Sequence, residues 1–205
     1  RYPVEQVATP EGYQRDPALV INFYNERRKQ LLDVTPNRGH ELLAELEKNF
    51  NVTVITQNVD NLHERAGSSH IIHLHGELTK VCSSRDPYNP HYIKELKPEE
   101  YEVKMGDKAG DGTQLRPFIV WFGEAVPEIE TAIRYVEKAD IFVIIGTSLN
   151  VYPAAGLLHY VPRGAEVYLI DPKPVDTHTS RSIHVLRKGA SEGVEELKQL
   201  LIPAP

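Results

Sequence analysis

Short apolar segments alternate with helical segments along most of this chain, and this alternation constrains the fold more than any other feature. Runs such as Val52–Thr56, Ile141–Ile145 and Glu166–Ile170 have the length and apolar character of buried strands. Between them, apolar residues recur at helical spacing, as in Glu128–Lys138. Buried strands separated by helices predict an α/β fold, with a parallel sheet that carries helices on both faces.

Capping signals place several helices. Asp16 before Pro17 predicts a helix through about Leu32, and Thr35-Pro36 predicts the start of the next one. The residues before Asp16 show turn chemistry and little periodicity. Further helices are predicted at Asn61–Ala66, Ala154–Val161 and Gly193–Leu201, and a further strand at Phe118–Phe122.

Residues 82–114 interrupt this rhythm, because they are rich in proline and glycine and poor in aliphatic side chains. We expect them to form a small module inserted into a main domain of residues 1–81 and 115–205. Cys82 is the one cysteine of the chain. It excludes an internal disulfide and a cysteine-rich zinc site, and it is typical of a reducing, cytoplasmic setting.

The formal charge is −6, from 23 basic and 29 acidic residues, which disfavours nucleic acid as a partner. No apolar run reaches the ~18 residues of a membrane span.

The first chemical motif, Thr56–Asp60, follows a strand and precedes a helix. In open α/β sheets, ligands bind at the carboxyl ends of strands. Gln57, Asn58 and Asp60 could bind an amide and a ribose there, or they could simply form a turn that caps the next helix.

The second motif contains His73 and His75. Alternation in an extended segment would put both on one face. A metal site is the weaker interpretation, because no cysteine or further nearby histidine completes it convincingly. His75, before Gly76, is suited to act as a base near neutral pH, whereas for His73 we favour a hydrogen-bonded structural role.

Two more strand ends carry residues that could contact a ligand. Trp121, Phe122 and Gly123 could line an apolar channel, or could be core packing followed by a turn. Gly146-Thr147-Ser148 could hold phosphate or ribose, although a strand-to-helix turn without a ligand would look similar. The chain has no G-x-G-x-x-G fingerprint, which disfavours a dehydrogenase.

Taken in order, these motifs resemble the sirtuin family, of the bacterial type that lacks zinc cysteines. The likeness spans nearly the whole chain and rests on Thr56–Asp60, Leu74–Gly76, Val120–Glu124, Gly146–Ser148 and Val151–Ala154, with Leu169–Asp171 and Lys188–Ala190.

The resemblance implies a Rossmann-type NAD domain and a small domain whose helical part is about 17–34, with an acylated lysine of a protein substrate bound between them. It implies that His75 is the base for a ribose hydroxyl. It places Gln57, Asn58 and Asp60 at the nicotinamide and its ribose. The remaining implied contacts are Gly146, Thr147, Ser148, Asp171 and Ala190 at the adenosine side, and Val120, Trp121, Phe122, Gly123 and Leu149–Val151 along the peptide. The products would be free lysine, nicotinamide and O-acyl-ADP-ribose.

Two family features are missing from the sequence. The glycine-rich phosphate loop would precede Tyr2, so we expect residues 1–205 alone to bind NAD poorly. The two C-x-x-C pairs are absent from residues 82–114, so we predict no structural zinc and expect the module to be held by packing.

Tyr24 and Arg27 resemble the Y-x-x-R element of the sirtuins that remove succinyl and malonyl groups. Their spacing puts both on one helix face, where arginine could pair with a carboxylate and tyrosine could add a hydrogen bond. The alternative is a half-buried tyrosine beside a solvated arginine. We expect Arg28 to be a solvated neighbour.

The sequence therefore predicts an NAD-dependent deacylase of succinyl-, malonyl- and acetyl-lysine. Alternatives are a catalytically silent NAD or ADP-ribose binding module, and an ADP-ribosyl transferase or lipoamidase on the same scaffold.

Overall fold

The computed structural model describes residues 2–146 and 154–204. The chain divides into two compact units. The first consists of Arg1–Thr35, Thr56–Asn61 and His73–Pro127, and the second of Pro36–Ile55, Leu62–Ile72 and Glu128–Pro205. Each unit has a three-stranded sheet and an apolar cluster of its own.

Helices and strands alternate along most of the chain. The helices are α1 (Val4–Val7), α2 (Pro10–Arg15), α3 (Pro17–Leu32), α4 (Arg38–Glu45), α5 (Leu62–Ala66), α6 (Ile129–Val136), α7 (Ala154–Leu157) and α8 (Ala190–Leu201). The strands are β1 (Val54–Thr56), β2 (Ile71–His73), β3 (Gly76–Ser83), β4 (Lys94–Glu95), β5 (Leu115–Ile119), β6 (Ile141–Ile145), β7 (Glu166–Ile170) and β8 (His184–Leu186). None of the helices in these described ranges is both long and apolar enough to cross a membrane.

The first unit packs α3 against an antiparallel sheet in the order β4-β3-β5. As predicted, α3 begins at Pro17, and the side chain of Asp16 caps it by accepting a hydrogen bond from the N–H of Leu19 at 3.2 Å. The apolar cluster of this unit comprises Ile21, Val81, Val103, Ala109 and Leu115.

The second unit contains the predicted parallel sheet, with the strand order β6-β7-β8. Strands β6 and β7 have the predicted bounds. Its apolar cluster joins the sheet to α4 and α8 and comprises Leu42, Ile170, Leu186, Val194 and Leu197. The fold class is therefore α/β, as predicted.

Several predictions about helices were wrong, among them the start of α8, which begins at Ala190 rather than at Gly193. Helix α4 begins at Arg38 rather than at Pro36, because Asn37 and His40 form a capping box with hydrogen bonds of 3.0 Å in each direction. The residues before Asp16, predicted to be irregular, form α1 and α2. These helices are too short to show apolar periodicity.

The domain division also differs from the prediction. The boundary predicted between residues 81 and 82 falls inside β3, which pairs with β5 from Val81 to Ser83. Residues 82–114 lie in the first unit together with α3, and the strand predicted at Phe118–Phe122 is instead Leu115–Ile119.

Candidate active site

Three of the sequence motifs meet within the first unit through main-chain hydrogen bonds. The N–H of Leu74 donates to the carbonyl of Thr56 at 2.9 Å, and the N–H of Leu78 donates to that of Val59 at 2.8 Å. The N–H of Val120 donates to the carbonyl of His75 at 2.9 Å. The strand-end motif (Thr56–Asp60), the histidine motif (Ile71–Glu77) and the aromatic motif (Arg116–Glu124) are therefore neighbours, as the predicted site requires.

His75 lies in a tight turn rather than in an extended segment. Strand β2 ends at His73, and β3 begins at Gly76, where φ is +87°. A Cβ atom at Gly76 would collide with the carbonyl oxygen of Phe118, so glycine is required for both reasons. The alternation predicted for the two histidines therefore ends before His75.

The imidazole of His75 is partly exposed, and burial lowers its pKa below the usual value for histidine. Since burial disfavours the imidazolium form, the ring is neutral at neutral pH. A neutral imidazole with access to solvent can accept a proton.

His73 occupies a different environment. Its side chain is buried, and Nδ1 forms a hydrogen bond of 3.0 Å with the carbonyl oxygen of Asn58. This contact fixes the ring against the strand-end motif and agrees with the structural role expected for His73.

The strand-end motif presents several polar groups in a short segment. The N–H of Asn58 donates to the hydroxyl of Thr56 at 3.0 Å, and the Asn58 side chain is exposed. Gln57 and Asp60 are partly buried. The side-chain oxygen of Asn61 is buried and has no hydrogen-bond partner in the described part of the chain. Such a group favours a polar ligand beside this segment, and sequence reasoning did not single out Asn61.

Tyr24 and Arg27 project from α3 with unequal exposure. Tyr24 is 7 % exposed. Its hydroxyl donates to the carbonyl of Val7 at 2.8 Å and accepts from Nε1 of Trp121 at 3.0 Å. Burial, as the largest effect, raises the pKa of Tyr24, so the phenol keeps its proton. The guanidinium of Arg27 is exposed and stacks over the ring of Phe23 at 5.7 Å.

The expectation for Arg28 was wrong. Its side chain is only 4 % exposed. Its guanidinium donates to the carbonyls of Tyr101 and Leu78 and to the side-chain oxygen of Asn25, at 2.8, 3.2 and 2.7 Å. Burial lowers the pKa of Arg28 to about 10. The helical spacing that leaves Arg27 outside turns Arg28 inward, where carbonyl groups replace water.

The two neighbouring aromatic residues of the aromatic motif differ in exposure, since one is buried and the other is exposed. Trp121 is 2 % exposed, which agrees with core packing, one of the two alternatives, rather than with a channel lining, whereas Phe122 is 69 % exposed. The N–H of Phe122 donates to the carbonyl of Ala8 at 3.0 Å. Gly123 has φ of +90° and lies at the tip of the turn, with open space where a side chain would stand.

Sequence reasoning missed an ion pair that flanks this turn. The guanidinium of Arg116 contacts both oxygens of the Glu124 carboxylate at 3.1 and 3.2 Å. Glu124 also accepts from the hydroxyl of Tyr88 at 2.8 Å. The available signal was the opposite charge of the first and last residues of the aromatic motif.

Other predicted ligand residues lie in the second unit, at the carboxyl ends of its parallel strands. Gly146 follows β6 and donates its N–H to the carbonyl of Ile170 at 3.2 Å. Asp171 follows β7, and its carboxylate accepts from the N–H of Lys173 at 2.8 Å. Ala190 is the first residue of α8. Ligands of open α/β sheets bind at this edge. Thr147, Ser148 and the segment Leu149–Val151 lie outside the described residues.

Residues 82–114 are connected by a polar cluster. Ser83 is fully buried, and its hydroxyl contacts Asp111 and Thr113 at 2.5 and 3.0 Å. The hydroxyl of Ser84 donates to the carbonyl of Gln114 at 2.6 Å. Cys82 is buried, which raises the pKa of its thiol to about 12.

Comparison with known proteins connects these motifs to one family. The sequence profile of the Sir2 family matches residues 1–153. An NAD-dependent protein deacylase of Bacteroides thetaiotaomicron is 97% identical over 205 residues, which cover 100% of this chain and 88% of that protein. An NAD-dependent protein deacylase of Helicobacter pylori is 48% identical over 199 residues, covering 97% of this chain and 84% of that protein.

Solved structures give the same result for the fold. A Sir2 homolog–NAD complex superposes with a TM-score of 0.82 at 35% identity, over 98% of this chain and 80% of that one. A Sir2–p53 peptide–NAD+ complex superposes with a TM-score of 0.76 at 28% identity, over 98% and 85%. The α/β fold of this chain is the Rossmann-like fold of these structures.

Proposed function

This chain belongs to the Sir2 family and is an NAD-dependent protein deacylase, and we propose that it removes succinyl and malonyl groups, together with acetyl groups, from protein lysines. The observation that carries the acyl preference is the exposed guanidinium of Arg27, three residues after Tyr24 on α3. The proposed products are free lysine, nicotinamide and O-acyl-ADP-ribose, in a cytoplasmic, reducing setting that suits a single free thiol.

His75 is the proposed catalytic base. It is held in place by its main chain, through the hydrogen bond from Val120. Its ring is partly exposed and can be reached by a ligand. Because burial lowers its pKa, the ring is neutral and can take the proton of a ribose hydroxyl.

NAD fits the polar groups of the first unit. When bound, it supplies the ADP-ribose group that receives the acyl group. Gln57, Asn58 and Asp60 are the proposed partners of its nicotinamide and ribose, and the unpartnered oxygen of Asn61 offers a further acceptor for an amide or hydroxyl donor. Gly146, Thr147, Ser148, Asp171 and Ala190 are the proposed residues for the adenosine side.

Arg27 is proposed to bind the carboxylate at the end of a succinyl or malonyl group. Among the described residues, no ion pair occupies its guanidinium, which leaves its donors free for a bidentate contact. Tyr24 has one hydroxyl proton, which it gives to Val7. A hydrogen bond from Tyr24 to the acyl carboxylate therefore requires that proton to leave Val7.

The substrate peptide is proposed to lie along Val120–Gly123 and Leu149–Val151 as an added strand. The N–H of Val120 is already used by His75 and that of Phe122 by Ala8. The carbonyl of Trp121 already accepts from the N–H of Glu124. The first of these segments therefore offers its exposed Phe122 ring and its remaining carbonyl groups to a peptide.

No structural zinc is part of the proposal. The chain has one thiol, which is buried, whereas a cysteine-rich zinc site needs several. The contacts of Ser83 and Ser84 instead connect the two ends of residues 83–114.

The test compares kcat/KM for succinyl, malonyl and acetyl versions of one peptide, in the wild-type protein and in Arg27→Met. Loss of a charge-assisted contact worth about 1.5–3 kcal/mol lowers the succinyl:acetyl ratio roughly 10- to 100-fold. Lys29→Met, which removes an exposed positive charge from the same helix, is the control and leaves the ratio unchanged. An unchanged ratio in Arg27→Met contradicts the carboxylate role.

Product analysis separates the alternatives. A deacylase releases nicotinamide only with acylated peptide and forms O-acyl-ADP-ribose. A silent binding module releases none, and an ADP-ribosyl transferase adds the mass of ADP-ribose to a protein.

A further inference from the structure

We propose that Arg116 and Glu124 are positioning residues that set both the peptide-binding turn 121–124 and the orientation of Tyr24. Both parts rest on the proposed function: the peptide-binding part on the proposed course of the peptide along Val120–Gly123, and the acyl-selective part on the proposed roles of Tyr24 and Arg27.

The ion pair of Arg116 and Glu124 is largely buried rather than exposed on the surface. The side chains of Arg116 and Glu124 are 4% and 15% exposed. The guanidinium also donates to the carbonyls of Ile119 and Pro117, at 2.8 and 3.3 Å. Burial acts to raise the pKa of Glu124, but its hydrogen bonds with Arg116 and the charge of Arg116 outweigh burial, so this pKa is lowered. The pair stays charged at neutral pH, with its orientation fixed by several contacts.

Glu124 closes the turn from both ends. Its carboxylate accepts from the N–H of Trp121 at 2.8 Å, while its own N–H donates to the carbonyl of Trp121 at 3.0 Å. The hydroxyl of Tyr88 supplies another donor to the same carboxylate. Phe122 and Gly123 lie between these closures and are exposed. The shape of the turn offered to a peptide therefore depends on Glu124.

Arg116 fixes the indole of Trp121. The guanidinium carbon lies 3.8 Å from the centre of the indole ring, which is a close cation–π contact. Tyr13 packs on the same indole with ring centres 5.3 Å apart. Held in this way, the indole directs Nε1–H to the hydroxyl oxygen of Tyr24 at 3.0 Å.

The effect on acyl selectivity follows from the number of hydrogen bonds that the hydroxyl of Tyr24 can make. A tyrosine hydroxyl has one proton, and the donor from Trp121 fixes the direction of its oxygen. In this structure that proton goes to the carbonyl of Val7, so it reaches an acyl carboxylate beside Arg27 only by turning away from Val7 about an oxygen that Trp121 still holds. If the indole shifts, the oxygen loses that position, and the redirected proton loses its alignment with the carboxylate. The ion pair thus acts on acyl choice through Trp121 and Tyr24 without touching the substrate.

The experiment uses Glu124→Gln and Arg116→Lys in the full-length enzyme, with KM for peptide, KM for NAD and kcat measured separately on acetyl and succinyl peptides. In both variants we expect peptide KM to rise roughly tenfold, KM for NAD to stay within about twofold, and the succinyl:acetyl ratio to fall roughly fivefold. Glu45→Gln, at the exposed pair with Arg38, is the matched control and changes none of these values.

A purely structural role predicts a different result, in which activity falls equally on all peptides and follows the folded fraction while peptide KM and the ratio stay fixed. That outcome overturns the proposal. If Glu124→Gln is not recovered folded, Trp121→Phe decides the selectivity part, because it removes the indole N–H and keeps the ion pair. An unchanged ratio in Trp121→Phe overturns that part.

The acetyl-peptide KM keeps this proposal separate from the proposed function. If the wild-type enzyme shows no preference for acidic acyl groups, the proposed acyl specificity fails. The rise of acetyl-peptide KM in Glu124→Gln still tests the turn.

Discussion

The main-chain N–H of Val120 donates a 2.9 Å hydrogen bond to the carbonyl oxygen of His75. This contact places the proposed base against the end of β5, and it is possible because Gly76 lets the two backbones approach. The position of His75 therefore depends on a residue that has no side chain and takes no part in the chemistry.

Replacing Gly76 by alanine tests this dependence. The new Cβ meets the carbonyl of Phe118, and φ of +87° is unfavourable for alanine. We expect the free energy of unfolding to fall by about 2–5 kcal/mol, from strain and overpacking together. Urea denaturation measures the change. Gly106→Ala is the control, since Gly106 has φ of +101° but open space around it, and it should lose only about 1–2 kcal/mol. Equal losses of unfolding free energy in Gly76→Ala and Gly106→Ala would mean that the protein relieves the collision with Phe118 at no energetic cost.

The two histidines of the second motif should respond differently to the same substitution. We expect His75→Asn to lower kcat by about 10²- to 10⁴-fold with little change in thermal stability, because it removes a general base from a partly exposed position. His73→Asn removes a buried side chain hydrogen-bonded to Asn58, so it should cost about 1–3 kcal/mol of stability. Full turnover in folded His75→Asn, measured as nicotinamide release, would exclude His75 as the base.

The pH profile gives an independent check on His75. Because burial lowers its pKa, the neutral ring persists to more acidic pH than in a free histidine. The acid limb of kcat/KM should therefore have its midpoint below the usual histidine value of about 6.5 and should disappear in His75→Asn. A midpoint above that value would show that the limiting proton belongs to another group.

The sequence was most informative where local chemistry alone decides the outcome. Asp16 before Pro17 predicted the start of α3, since a cap and a fixed φ act within one turn. Strands β6 and β7 were predicted because apolar runs of strand length alternate there with helical segments. The chain order of the motifs also identified the family.

Predictions failed where contacts between distant parts of the chain decide. Thr35-Pro36 is a separate, local case: it resembled a helix start, but the capping box of Asn37 and His40 starts α4 instead. For Trp121 the sequence left a channel lining and core packing open, and contacts with Arg116 and Tyr24 hold the indole inside. Apolar periodicity shows which face of a helix is apolar. It does not show where carbonyl groups of other segments can accept hydrogen bonds from an arginine of that helix.

The neighbouring arginines of α3 give the sharpest test of that last point. Arg28 fills three buried acceptors, on Tyr101, Leu78 and Asn25, and Met cannot replace any of these hydrogen bonds. Removing the buried charge relieves desolvation, which limits the net loss. Because each buried acceptor without a donor costs about 1–3 kcal/mol, we expect Arg28→Met to lower the free energy of unfolding by about 2–4 kcal/mol. Arg27→Met, at an exposed site, should change it by less than about 0.5 kcal/mol. Urea denaturation of the two variants measures both values.

The acyl assay compares the same two variants. Arg27→Met should alter acyl choice in a stable protein, whereas Arg28→Met should destabilise the protein while the succinyl:acetyl ratio of the folded fraction is retained. The opposite pattern would assign the carboxylate contact to Arg28.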